Sequence, residues 1–233
     1  MADLEIEKEA AARKSLEWVR DGMALGLGTG STAAYVIRLL GRRVREEGLR
    51  IRAVPTSAST EALARAEGIP LVTFADVKAL DVAIDGADEV DPSLRLIKGG
   101  GGALLREKIV AAAARQVLII ADSSKPRESL GRFPLPVEVV RFGWELVAER
   151  LSRLGVTPRL RQGREGTPFV TDEGHYLLDC PFGTIADPGA LARTLDAMPG
   201  VVEHGLFLDM ADVVLVGRGD SVEVRERGLE PGR

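Results

Sequence analysis

The sequence predicts an α/β chain: a doubly wound, mostly parallel sheet of Rossmann-like type, with a second, smaller α+β domain. Three observations predict it. Over residues 1–130, short apolar runs without alternation are separated by helical patterns, as in a sheet covered on both faces. Each run is followed by a segment rich in Gly, Ser, Thr or Asp, namely 28–32, 55–59, 85–91 and 122–125. In open α/β sheets such segments, beyond the carboxyl ends of the strands, are where ligands bind. After residue 130 the pattern changes to short strands and two helices.

The elements follow in order. Residues 3–20 read as an amphipathic helix through Leu4, Ala11, Ala12, Leu16 and Val19, broken at Asp21-Gly22. Met23–Leu27 is a buried strand, Ser31–Arg45 a helix, and Ile51–Val54 a strand stopped by Pro55. Thr60–Ala66 reads as helix, Pro70–Phe74 as extended, and Val82–Ile84 as an apolar strand ending at Asp85. Ala103–Arg115 is Ala-rich and helical, and Val117–Ala121 is the most apolar strand. Phe133–Pro136 is stiff and extended; Trp144–Leu154 is helical. Thr157–Leu160, Pro168–Thr171 and Tyr176–Asp179 read as strands, and Pro188–Met198 as a helix capped by Asp187. Val201–Leu208 and Val213–Val216 are apolar and are expected to rejoin the first sheet. The end, GRGDSVEVRERGLEPGR, reads as a short strand and a loose tail, its RGD triplet a coincidence. The expected domains are 1–130 with 206–233, and 131–205.

Composition excludes several classes. A net charge of −4 and an aromatic content of 4% argue against nucleic-acid binding. A single cysteine, Cys180, excludes an internal disulfide and a Cys-rich zinc site. No apolar run reaches the ~18 residues of a membrane helix. The start, MADLEIEKEA, has no apolar core of a secretory signal, so a cytoplasmic protein is expected.

Three motifs carry chemistry. Gly26-Leu-Gly-Thr-Gly-Ser-Thr32 joins a strand to a helix, where backbone N–H groups attract phosphate. It lacks the lysine of a Walker A loop, and the second strand lacks the acid of a dinucleotide site. A small phosphoester held by Thr29, Ser31, Thr32 and the backbone remains, beside a plain tight turn. Asp85-Gly-Ala-Asp-Glu-Val-Asp91 places four carboxylates at a strand end; Asp85 and Asp88 are candidates for substrate hydroxyls, with solvated loop acids as the alternative. Ala87 occupies a ligand position of a calcium loop, so that motif fails. Lys98-Gly-Gly-Gly-Gly102 costs much chain entropy, which fits a backbone wrapped around a ligand better than a linker between core elements. Glu107, one turn into the next helix, is a candidate base with Lys98 as electrophile, or else a solvated helix-face residue. Lys125 is either a phosphate contact or a surface residue. Lys8, His175 and His204 read as non-catalytic, and Cys180 as a packed thiol.

GLGTGSTAAYVI, DGADEVD, KGGGGALLREKI and FPLPVEVV, in this order and spacing, closely resemble the ribose-5-phosphate isomerase A family, over nearly the whole chain. The resemblance implies interconversion of D-ribose 5-phosphate and D-ribulose 5-phosphate through a cis-enediolate, without metal or organic cofactor. It implies Glu107 as the base, with Asp85 and Lys98 also catalytic. It implies substrate binding by Thr29, Gly30, Ser31, Thr32, Asp85, Gly86, Ala87, Asp88, Lys98, Gly99, Gly100, Gly101 and Lys125; Lys8 matches a phosphate-contacting lysine only loosely. It further implies a small sugar phosphate as partner, no nucleic acid or membrane, and a homodimer or homotetramer. Two alternatives share the fold. A coenzyme A transferase would use the glutamate as nucleophile. A sugar-phosphate sensor would carry a DNA-binding domain ahead of it, for which the residues before the first strand are too few.

Overall fold

The computed structural model describes residues 3–163 and 166–228. In chain order the elements are α1 (Leu4–Ser15), a short 3-10 turn (Leu16–Trp18), β1 (Ala24–Leu27), α2 (Ser31–Glu47), β2 (Arg52–Pro55), α3 (Ala58–Ala66) and β3 (Leu80–Gly86). Next come β4 (Glu89–Val90), β5 (Leu96–Ile97), α4 (Leu104–Ala112), β6 (Ala114–Ala121), β7 (Leu135–Val139), α5 (Trp144–Ser152) and β8 (Arg159–Leu160). The rest are β9 (Tyr176–Cys180), α6 (Pro188–Asp196), β10 (Val201–His204), β11 (Leu206–Phe207), β12 (Val213–Arg218) and β13 (Ser221–Glu226). The strand expected near the C-terminus is β13; of the tail expected after it, residues 229–233 lie outside the described residues. No described helix is long and apolar enough to cross a membrane.

The chain forms two compact units. One contains the residues up to Ala87, Ile109–Lys125 and the chain from Asp209 onward; the other contains Asp88–Lys108 and Pro126–Leu208. The division differs from the expected limits chiefly at 88–108. That stretch contains β4 and β5, which pair with each other and with β11 rather than with the large sheet.

In the first unit a six-stranded sheet has the order β13-β12-β6-β3-β1-β2. Five strands are parallel, and β13 closes one edge by antiparallel pairing with β12. The central strands show no exposed alternate face: all four residues of β1 are buried, as are Val82–Asp85 of β3. Leu25, Leu27, Ile84, Leu118, Ile120 and Leu215 pack with Val36, Ile37 and Leu40 of α2. Truncating one such leucine to alanine costs roughly 2–5 kcal/mol. The helical spacing of the α2 apolar residues was legible because it buries one stripe, and Gly48, at φ 69°, ends the helix in the left-handed conformation. After β1 the chain moves to one side of the sheet for β2, then crosses back to the other side for β3. The strand order therefore reverses between β1 and β3, the kind of position at which open α/β sheets bind ligands.

The second unit holds an antiparallel sheet of order β10-β7-β9-β8 and a small sheet β11-β5-β4. Leu135, Val137, Val139, Leu178 and Cys180 of the former pack with Val147, Leu151 and Leu195 of α5 and α6.

Several expectations are corrected. Val201–Leu208 does not rejoin the large sheet: Gly205 interrupts it, so β10 pairs with β7 and β11 with β5. A Cβ on Gly205 would lie 2.3 Å from the Lys98 carbonyl oxygen, so only glycine lets the strands approach here. Val213–Val216 does join the large sheet, beside β6. The helix expected to reach Arg115 stops at Ala112, and Ala114 already pairs with Leu80. Pro70–Phe74 and Pro168–Thr171 form only the single bridges Ala53–Leu71 and Gln162–Pro168, since proline cannot donate to a ladder.

Candidate active site

In the first unit the candidate residues lie in the loops after β1, β2 and β3. Gly28 donates its N–H to the Ile84 carbonyl (2.9 Å), and a Cβ there would fall 2.0 Å from Oδ1 of Asp85. That oxygen accepts the N–H groups of Thr29 (3.1 Å) and Gly86 (2.7 Å), so the buried Asp85 carboxylate fastens the two strand ends together. The Thr29 hydroxyl lies 2.7 Å from that of Thr56, 2.8 Å from that of Ser57 and 3.1 Å from that of Thr60. Thr60 in turn donates to the Gly28 carbonyl (2.9 Å). Gly30, at φ 109°, caps α2 without a side chain and leaves open space around it. Ser31 is exposed and Thr32 buried in the first turn, whose N–H groups have no acceptor within the helix. Lys125 is partly exposed and makes no ion pair among the described residues. Its turn is held by Glu7 of α1, a buried carboxylate that accepts the N–H groups of Ser123 (2.8 Å) and Gly219 (3.2 Å). Lys8 pairs with Glu5 at 2.7 Å.

In the second unit the candidate residues lie in the stretch 88–108. Its acids separate by what they hold. Glu89 accepts the N–H groups of Gly131 and Phe133, both at 2.7 Å, and Asp91 accepts those of Ser93 and Arg95, both at 2.9 Å. These two are structural, and Asp91 and Glu89 are buried rather than solvated. Asp88 instead accepts the Gly100 N–H (2.7 Å) and shapes the glycine loop. Gly99, at φ 102°, and Gly102, at φ 81°, both adopt backbone conformations that side chains disfavour. A Cβ on Gly102 would strike the Phe169 ring at 2.5 Å. Lys98 Nζ lies 3.3 Å from Glu107 Oε2, with both side chains 4% exposed. The Glu107 carboxylate is thus buried, not on a solvated helix face. Phe207 packs under both lysines of this region, 5.4 Å from Lys98 Nζ and 4.9 Å from Lys108 Nζ.

Sequence reasoning missed Thr56, Ser57 and Thr60, although 55–59 was among the segments following strands. It also missed Arg161, whose guanidinium bonds the carbonyls of Gly99 (2.9 Å) and Gly100 (3.1 Å); nothing local marks a contact across more than sixty residues. His175 donates to or accepts from the buried Glu138 (3.0 Å), and His204 lies 3.1 Å from Asp196. Burial lowers the pKa of His204, and burial likewise lowers that of Lys108, against the pull of Glu203. Asp196, Glu203 and His204 bring three possible metal-ligand atoms within 4.8 Å of one another. The Lys108 ammonium already sits 2.5 Å from Glu203 Oε1, so internal ion pairs satisfy this cluster.

The chain matches the family described as Ribose 5-phosphate isomerase A (phosphoriboisomerase A) over residues 52–221. It is 54% identical to the ribose-5-phosphate isomerase A of Sphingopyxis alaskensis over 228 residues, covering 98% of this chain and 99% of the relative. A solved D-ribose-5-phosphate isomerase in complex with phospho-erythronic acid superposes with a TM-score of 0.94 at 41% identity, covering 97% of this chain and 100% of that one. The ribose 5-phosphate isomerase A of Methanocaldococcus jannaschii superposes with a TM-score of 0.90 at 42% identity, covering 94% and 97%. Fold and comparisons together define an enzyme of the aldose–ketose isomerase class. The chain belongs to the ribose 5-phosphate isomerase A family.

Proposed function

We propose that the chain interconverts D-ribose 5-phosphate and D-ribulose 5-phosphate by proton transfer through a cis-enediolate, with Glu107 as the base. The observation that carries this reading is the buried Glu107–Lys98 pair at 3.3 Å. Glu107 takes the proton from C2 of the open aldose and returns it to C1, while the proton of the C2 hydroxyl passes to the C1 oxygen, turning the aldehyde into an alcohol and C2 into the ketone. As the carboxylate takes up the proton, its pull on the Lys98 ammonium weakens just as the substrate becomes an enediolate, and the cation stabilises that anion in a site of low dielectric. Backbone N–H groups of the glycine loop assist, other than that of Gly100, which Asp88 holds. Asp85 serves ring opening by moving the proton at the ring oxygen, and Asp88, Gly86 and Ala87 order the hydroxyls. Thr29, Gly30, Ser31 and Thr32, with Lys125, hold the phosphate, whose binding energy aligns the reacting carbons. No metal or organic cofactor enters this route. The protein acts in the cytoplasm as a homodimer or homotetramer, which its mass in solution tests.

The test is Glu107→Gln in a coupled assay with ribose 5-phosphate. Turnover should fall by about 10²–10⁴-fold with substrate binding retained. Near-normal turnover rejects the base assignment. Deuterium from D₂O should enter the carbon-bound position of the product, and a chelator should leave the rate unchanged. Trapping of an acyl-glutamate from a thioester would instead support a transferase.

A further inference from the structure

Arg161 follows β8 and is held at both backbone groups: its N–H donates to Leu177 (2.8 Å) and its carbonyl accepts from Phe169 (2.9 Å). Its guanidinium is committed on two sides. Nε and Nη2 donate to the two oxygens of Asp179 on β9, at 3.0 and 2.5 Å. Nη1 donates to the carbonyls of Gly99 and Gly100. The planar group also lies over the Phe169 ring, 5.9 Å from its centre, and that ring fills the space against Gly102. The side chain is 14% exposed.

A trans peptide points its C=O and N–H in opposite directions. With the Gly99 carbonyl turned to Arg161, the Gly100 N–H faces away and is taken by Asp88. With the Gly100 carbonyl also turned to Arg161, the Gly101 N–H faces away too. Gly101 is exposed, and its N–H donates to no acceptor among the described residues. Four glycines in a row have no side chains to choose between peptide orientations. A donor left to itself on such a loop would spend its time rotating, and a loosely aimed dipole stabilises little charge.

We propose that Arg161, clamped by Asp179, is a positioning residue for the isomerisation: it fixes the Gly100–Gly101 peptide so that the Gly101 N–H stands ready for the enediolate oxygen. This rests on the enediolate reading above. Arginine is required because one flat group must serve a carboxylate and two carbonyls at once; lysine can reach only part of that set.

The experiment compares Arg161→Gln, Arg161→Lys and Asp179→Asn with the unmodified enzyme, beside Glu107→Gln. It measures kcat, KM, inhibition by phospho-erythronic acid (whose carboxylate mimics the enediolate) and thermal unfolding. In Arg161→Gln, kcat should fall about 10–100-fold, a share of what losing an oxyanion donor costs. KM should stay within about threefold, because the donor acts on the transition state and not on bound sugar. The inhibition constant should rise by the same factor as kcat falls. Arg161→Lys should recover part of the loss, and Asp179→Asn should show a smaller loss of the same kind. Unchanged kcat in Arg161→Gln, or a loss of activity that only follows the fraction unfolded, overturns the proposal. Should Arg161→Gln fail to fold, full turnover in Asp179→Asn overturns it instead. Retained turnover in Glu107→Gln would sink the enediolate reading itself; loss there with none in the Arg161 variants would sink only this inference.

Discussion

Gly28 and Asp85 occupy space that neither could share with one more carbon: a Cβ on Gly28 would lie 2.0 Å from Oδ1 and 2.6 Å from Cα of Asp85. The second distance involves main chain, so rotating the carboxylate away does not relieve it. Gly28→Ala should push the ends of β1 and β3 apart, cost roughly 1–3 kcal/mol of stability, and lower turnover far more than that loss explains. Denaturant melts and the coupled assay check this together. Wild-type activity in a normally stable Gly28→Ala would mean that the Asp85 position has no bearing on the reaction.

Lys98→Met should damage both stability and turnover. It leaves the buried Glu107 carboxylate without its ammonium partner, and breaking a buried pair costs roughly 3–5 kcal/mol. Equilibrium unfolding reads the first effect and kcat the second. If both stay at wild-type values, the pair is incidental.

Glu7 should make the first unit sensitive to acid. Burial alone would push its pKa up, but the donors at Ser123 and Gly219 outweigh it and hold the value below 4.5. A folded pKa below the unfolded one means that the stabilisation is present above pH 4.5. It is lost as pH falls through the folded value. Glu7→Gln should therefore cost about 1–3 kcal/mol at pH 7, with the difference from wild type shrinking in acid. A gap that is constant with pH contradicts the assignment.

Cys180 should resist thiol reagents in the native protein. It is fully buried, and burial pushes its pKa up to about 12, so almost no thiolate exists at pH 8. Labelling should follow unfolding and track denaturant concentration. Rapid labelling of folded enzyme would contradict the packing of β9.

The parallel sheet was readable because Ala24–Leu27, Val82–Ile84 and Val117–Ala121 are buried throughout and so lack alternation. The helices α2 and α6 were readable from one apolar stripe each and, for α6, from the Asp187 cap. The short strands β4, β5 and β11 were not, because two residues hold no period. The division of 201–208 between two sheets was hidden for a different reason. It depends on how closely Gly205 approaches the Lys98 carbonyl, which is a tertiary fact. Among the candidate residues, the motifs singled out Asp85, Asp88, Lys98 and Glu107, and all but Asp88 are buried. They could not separate Asp88 from Glu89, since acids crowded into residues 85–91 differ only in which N–H groups come to meet them. Arg161 is invisible for the same reason: its partners lie elsewhere in the chain.

The chain passes between its two units after Ala87, Lys108, Lys125 and Leu208. A ribosome making this protein therefore releases the whole of the later-starting unit before it releases β12, which belongs between β6 and β13 of the earlier one. The unit that begins first finishes last. Until then Leu118 and Ile120 of β6 wait for a neighbour, a newborn edge that could pair with the wrong strand.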